Sequence, residues 1–190
     1  PLYSSAASDV YKRQAMVEVI FRHGGTLDKF IGDAVMAHWG ALGMGRESDN
    51  ARQAILAAKD MLSALQSMNH RWQQEGKSPF KIGIGLHVGE AVAGEIGSPD
   101  RTEFGVIGDT VNLASRLEGL TKEFHCDVIF SEEVRIAADW REPIINLGGV
   151  RVKGRKNPVR LCGMGDEQEV LTHMATYERD EEQCIVMKVK

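Results

Sequence analysis

A change of hydrophobic period close to Gly76 constrains this chain more than any other feature. Between Asp49 and Gly76 the positions Ala54, Ile55, Ala58, Met61, Leu62, Leu65, Met68 and Trp72 recur at intervals of three and four, which predicts a long amphipathic helix. Directly after it, "FKIGIGLHVGEAVAGEIG" alternates Phe80, Ile82, Ile84, Leu86 and Val88 on one face and turns at Gly89, which predicts a long antiparallel pair. A helical period followed by a two-residue period requires helices and a sheet in one fold. The rest repeats the alternation: Ala15–His23 reads as the end of a helix stopped by Gly24 and Gly25, and "DKFIGDAVMAHWG" as a hairpin around Gly-Asp. "SPDRTE" reads as a polar loop, "FGVIG" as a short strand, and "DTVNLASRLEGLTKEF" as a helix capped by Asp109 or Thr110. The strand "CDVIFS", the short helix "EEVRIAAD", and the strands "INLGGVRVKG" and "PVRLCGM" complete the order, and an α+β sandwich is the expectation.

Composition narrows the partners. The 190 residues are 43% hydrophobic and 26% charged, ordinary for one globular domain. A net charge of −4 supplies no general attraction to nucleic acid or to an anionic membrane, so any phosphate ligand must be held by local groups. Cys126, Cys162 and Cys184 are too few and too widely spaced for a zinc site or a disulfide framework and read as reduced thiols, which suggests a cytoplasmic setting. No apolar run reaches the length of a membrane span.

Three segments are expected. Residues 1–14 show no period, and Ser4–Gln14, "SSAASDVYKRQ", matches the translation of a common transposase sequencing adapter, so they are read as foreign to the natural coding sequence, which is truncated upstream. Residues 15–165 are expected to form the main folded domain. Residues 166–190 read as an acidic appended tail with a last strand at "CIVMKV".

Lys29 and Asp33 pose a question, because they stand four residues apart among apolar side chains that read as buried, where charge is costly. Each alone has an ordinary explanation. Gly-Asp is a favoured turn, and a lysine can snorkel. Asn112 and Arg116 share one face near a helix N-terminus, which favours anions, and "GVIGDTVNLASRL" leads a strand into that helix through a glycine turn. Lys153 is one of four closely spaced basic residues in "VRVKGRKNP", a pattern common at solvated strand ends.

Together, "GGTLDKFIGDAVMAHWG", "GIGLHVGEAVAGEIGS", "GVIGDTVNLASRLE" and "VRVKGRKNPVRL", in this order, resemble the class III nucleotidyl cyclase catalytic domain, adenylate cyclases of bacteria in particular. The resemblance spans about Ala15 to Met164. It implies a ferredoxin-like α/β sandwich with a central, mostly antiparallel sheet and helices packed on it, here without the first strand and helix. It also implies two divalent ions, Mg2+ or Mn2+, per site, held by two aspartates, of which Asp33 matches the second; they neutralise phosphoryl charge while the ribose 3′-hydroxyl attacks the α-phosphate in line. Lys29 matches the position that donates to the adenine ring, which favours ATP. Gly105 falls where adenylate cyclases of the family carry threonine or aspartate, a departure that leaves discrimination against GTP resting on Lys29. By the same resemblance Asn112 orients the ribose, Arg116 stabilises the pentavalent transition state, and Lys153 holds the β- and γ-phosphates. The site lies between two subunits, so the implied protein is a homodimer making cyclic AMP and pyrophosphate from ATP, with neither nucleic acid nor membrane touched by this segment.

The first metal aspartate of the family lies in a pattern like Asp-Ile-Arg-Gly-Phe-Thr, which this sequence does not contain; Asp9, the one acid ahead of Ala15, belongs to the adapter-like segment. The expectation is an inactive chain from an active parent enzyme. The alternatives are guanylate cyclase activity, a degenerate nucleotide-binding or regulatory homology domain, and a diguanylate cyclase, for which the Gly-Gly-Asp/Glu-Glu-Phe signature is absent.

Overall fold

Gly24 and Gly25 show how closely local signals shape this chain. In the computed structural model, which describes residues 2–43, 45–98 and 101–186, Gly24 takes φ +70° and its N–H bonds the Phe21 carbonyl at 3.0 Å, while Gly25 bonds Ile20 at 2.9 Å. That pair of bonds is a Schellman motif, and it ends the first helix where the two glycines predict. The elements run α1 (Leu2–Arg22), β1 (Thr26–Ile31), β2 (Ala34–His38), α2 (Glu47–Gln74), β3 (Ile84–Leu86), β4 (Val92–Ser98), β5 (Arg101–Ile107), α3 (Asp109–Phe124), β6 (Val128–Ser131), α4 (Glu132–Ala137), β7 (Ile145–Arg151), β8 (Val159–Met164), α5 (Glu167–Met174) and β9 (Ile185–Val186). Strand pairing is antiparallel in β1–β2, β4–β5, β6–β8 and β7–β8, and parallel in β3–β6 and β7–β9, which is the expected mixed α+β fold.

The chain forms two compact units, residues 1–82 with 91–107, and residues 83–90 with 108–190. The first unit holds α1, α2 and the hairpins β1–β2 and β4–β5. Its helices share a core of Met16, Leu65, Met68 and Trp72, with Phe80 edge-on to Trp72 at 5.1 Å. His23 closes α1 onto α2, its Nδ1 2.9 Å from Gln53 Oε1 and its Nε2 2.8 Å from Asp60 Oδ2.

The second unit is built on the five-stranded sheet β3-β6-β8-β7-β9. Leu113, Leu117 and Phe124 of α3 pack with Ile129, Ile145, Leu147, Val150 and Leu161 into one continuous core. The helix comes extremely close to β3, because a Cβ on Gly85 would stand 2.3 Å from the Ala114 carbonyl oxygen and one on Gly83 2.0 Å from Thr121 Oγ1. Only glycine fits at those two positions.

Four expectations change. Residues 2–14, which show no period, continue α1: alanine, serine, lysine and glutamine extend a helix already nucleated by its packed half. The pair predicted around Gly89 does not form; β3 is three residues long and pairs parallel with β6, while β4 pairs with β5, so Arg101–Glu103 of the supposed loop are strand, Pro99 and Asp100 lying outside the described residues. Gly108, not Asp109 or Thr110, caps α3. The acidic segment after Asp166 is integral to the second unit, since α5 buries Val170 and Met174, and β9 buries Ile185, in the sheet's core. Asp166 caps α5 by accepting the Glu169 N–H at 2.9 Å. The expected last strand shortens to Ile185–Val186, and residues 187–190 lie outside the described residues.

The three cysteines are free and buried. Burial is the leading cause that pushes the Cys126 and Cys162 thiols up to about 12, which makes both inert at neutral pH. Among the described residues no helix is long and apolar enough to cross a membrane.

Candidate active site

The six candidate residues divide between the units: Lys29, Asp33 and Gly105 in the first, Asn112, Arg116 and Lys153 in the second.

In the first unit the β1–β2 connection is the two residues Gly32 and Asp33, with Gly32 at φ +62°, the positive φ that a hairpin turn with glycine first requires. Asp33 is exposed and, among the described residues, has neither an ion pair nor a hydrogen bond. Its neighbours are not buried as their apolar character suggests: Phe30 is 47% and Ile31 59% exposed. Charge at the tip therefore carries no burial cost, and the carboxylate is open to a cation.

Lys29 lies deeper. Its Nζ stands 3.2 Å from Asp28 Oδ2 and 3.0 Å from where a Cβ on Gly105 would be. Asp28 is the buried partner, its side chain 1% exposed against 41% for Lys29, and its Oδ1 accepts the Val106 N–H at 3.1 Å. A β-bulge explains the geometry. Leu27 pairs with Ala37 and Lys29 with Met36, so Asp28 is an extra residue in β1 and the alternation of sides breaks there. His38, beside this bulge, has both ring nitrogens out of solvent and without a hydrogen bond; burial lowers its pKa below the ordinary 6.5, and the Asp28 charge works the other way.

In the second unit the N-terminus of α3 organises the rest. Asp109, at its first position, binds Arg155 Nη2 at 2.6 Å, which ties the turn after β7 to the start of α3. Thr110 donates its hydroxyl to the Glu90 carbonyl. One turn further, Asn112 is exposed and Arg116 half-buried, on the margin of the stripe formed by Leu113 and Leu117. The Arg116 guanidinium lies 3.3–3.5 Å from where a Cβ on Gly154 would be, and Gly154 sits at φ +79° in the turn that carries Lys153. Structure thus brings Arg116 and the Lys153 turn together. Among the described residues, Asn112, Arg116 and Lys153 have no side-chain partner, so their hydrogen-bonding capacity is unspent.

Arg155 and Asp28 are the residues that sequence reasoning passed over. The signal for Arg155 was its place in the basic run; for Asp28 it was an acid directly before the candidate lysine.

A divalent ion requires oxygen donors, and the free Asp33 carboxylate fits as one of them. The described residues offer no second acid beside it that is free, since Asp28 is committed to Lys29 and Val106. The cluster Asp180, Glu182 and Cys184 does not fit a metal: Arg151 binds both acids, and Asp180 Oδ1 already accepts the N–H groups of Glu182 and Cys184.

Residues 13–173 match the family model described as the adenylate and guanylate cyclase catalytic domain. "Adenylate cyclase 1" of Rhizobium meliloti is 35% identical over 145 residues, 76% of this chain and 21% of that protein, and the "Adenylate cyclase" of Anabaena cylindrica is 41% identical over 123 residues, 63% and 23%. The chain thus spans about a fifth of the length of these curated relatives. Among solved structures, the adenylyl cyclase CyaB from P. aeruginosa superposes with a TM-score of 0.78 at 26% identity, covering 86% of this chain and 83% of that one. The guanylyl cyclase Cya2 does so with a TM-score of 0.69 at 32% identity, covering 85% and 83%.

Proposed function

Since the chain belongs to the adenylate and guanylate cyclase catalytic domain family, we propose that it derives from an adenylate cyclase that converts ATP to 3′,5′-cyclic AMP and pyrophosphate. The observation that carries the choice of ATP is the Lys29 ammonium, fixed against Gly105, the two positions that read the base by family resemblance. An ammonium donates to N1 of adenine, a lone-pair acceptor, and is repelled by the N1–H of guanine. The names of the Rhizobium meliloti and Anabaena cylindrica relatives agree with this reading.

The other roles follow from what each side chain offers. Asn112 orients the ribose through its amide. Arg116 spreads its guanidinium over the charge that develops on the α-phosphate, and its lack of any other partner leaves it available at that moment. Lys153 meets the β- and γ-phosphates from a turn held in place by the Arg155–Asp109 pair. Mg2+ or Mn2+ would be held by Asp33 together with the second aspartate that the family resemblance implies, and would supply charge neutralisation and make the 3′-hydroxyl more acidic.

Two copies complete the proposal, as a homodimer with the site between them. The exposed Val92, Phe104 and Ile107 of the β4–β5 hairpin, with Phe30 and Ile31, support an apolar interface of that kind. The chain of residues 1–190, whose sequence lacks the family's first metal aspartate, is proposed to turn over little or no ATP, whereas the complete gene product, in the cytoplasm, is active. Residues 1–14 remain proposed as adapter-derived; the genomic sequence at this locus decides that.

The deciding experiment is an assay of the complete gene product with Mn2+ and either ATP or GTP. Cyclic AMP formation that disappears in Asp33→Ala is the expected result; no turnover, or turnover unaffected by that substitution, overturns the reading. Gly105 favours one second reading, because without a side-chain acceptor there GTP is less strongly rejected, and cyclic GMP as the main product would establish it.

A further inference from the structure

Asp28 is an expensive residue to keep. Its carboxylate is almost wholly buried, its Oδ2 makes no well-directed hydrogen bond although the Lys29 ammonium is 3.2 Å away, and an apolar side chain would fill the same space without desolvating a charge. The bulge in β1 exists at this residue, and it directs both Asp28 and Lys29 towards β5, where Val106 N–H binds one and Gly105 gives room to the other.

We infer that Asp28 is the positioning residue for base selection: from the bulge in β1 it stands in for the polar side chain, threonine or aspartate, that the family resemblance implies at position 105. This rests on the reading of Lys29 and Gly105 as base-reading positions. The geometry makes the two acid positions exclusive. A Cβ at 105 would stand 3.0 Å from Lys29 Nζ and 3.6 Å from Asp28 Oδ1, so an acid there would face a second carboxylate across a single ammonium. With glycine at 105, Asp28 alone orients the ammonium from below. The ion pair holds the ammonium beside Gly105 by charge rather than by a directed hydrogen bond, and there it can donate to a purine acceptor and stands against a purine N–H. A lysine without that anchor would swing on its four-carbon stem and bind either base.

The test uses the 190-residue chain, Mn2+, and ribose-labelled fluorescent ATP and GTP, with binding and thermal melting read for Asp28→Asn, Gly105→Asp and the double variant. The ATP-to-GTP affinity ratio is expected to fall about tenfold in Asp28→Asn, because the charge that holds the ammonium in place is lost. It should return when Gly105→Asp is added, and Asp28→Asn should change nothing further in a Lys29→Ala background. Gly105→Asp alone should lower the melting temperature by about 3 °C, and by less when Asp28 is already asparagine. A ratio within twofold of the unsubstituted chain in Asp28→Asn, or additive melting shifts, overturns the inference. If Asp28→Asn does not fold, Gly105→Asp alone decides: unchanged melting and unchanged selectivity refute exclusivity. Absence of binding of either nucleotide to the unsubstituted chain would instead sink the functional reading, while the melting cycle still answers whether the two acids exclude each other.

Discussion

The two units handle apolar surface in opposite ways. In the second, the sheet from β3 to β9 buries Phe130, Ile129, Val128, Val150, Leu161 and Ile185 almost completely. In the first, the hairpins leave Phe30, Ile31, Val92, Phe104 and Ile107 between 47% and 67% exposed. The candidate residues follow that division. Asn112 and Arg116 ride on a helix clamped to a finished core, whereas Asp33 and Lys29 ride on a two-stranded ribbon whose local geometry depends on a bulge and a buried ion pair. On the proposed reading, Asn112 and Arg116 would act from a frame made rigid by packing, and Lys29 and Asp33 from a ribbon held by a few polar pins.

Four measurements test this contrast. The largest effect is expected from Phe130→Ala, which should cost about 3–5 kcal/mol in urea unfolding, because a fully buried ring in a closed core leaves a cavity. A cost near zero would mean that the second unit is not the rigid half. Next, Arg116→Ala in the complete gene product should slow turnover about 10²–10³-fold, as for removal of a group that stabilises transition-state charge, with the melting temperature unchanged since the side chain has no partner to lose. Equal losses of stability and rate would make it a structural residue.

A smaller effect concerns acid. His87, whose Nδ1 lies 2.7 Å from Ser131 Oγ, has its pKa lowered from 6.5, by burial first and by Arg155 to a lesser degree, against Glu133 and Asp109. The unfolded chain therefore binds a proton that the folded one resists, so this contribution is complete above pH 6.5 and is lost as pH falls from there through the lower folded value. His38 in the first unit has the same sign. Melting curves of His87→Asn should show a weaker acid dependence than the unsubstituted chain. The smallest effect is expected for Phe30→Ser, within about 0.5 kcal/mol, with solubility improved. A loss comparable to that of Phe130→Ala would erase the contrast.

Much of this was readable beforehand because the responsible signals are local. The period of α2, the Gly24–Gly25 stop and the Gly-Asp turn each fix their own element. What escaped reading is non-local. The alternation through Gly83 and Gly85 resembles an ordinary hairpin strand until α3 is seen against it. Val170, Met174 and Ile185 are too thinly spread among acids to show a period, yet the sheet recruits them. Likewise the four ordered motifs disclosed the family and the candidate side chains, but no spacing rule announces that β1 carries an extra residue at Asp28.

The absent side chains at Gly83 and Gly85 carry one more consequence. They act as a depth stop for α3, so even a methyl group there would lift the helix and the arginine it bears. If Arg116 acts as proposed, a substitution in the floor of the sheet would read, in a rate assay, like damage to Arg116 itself, and a screen for inactive variants would gather both kinds together.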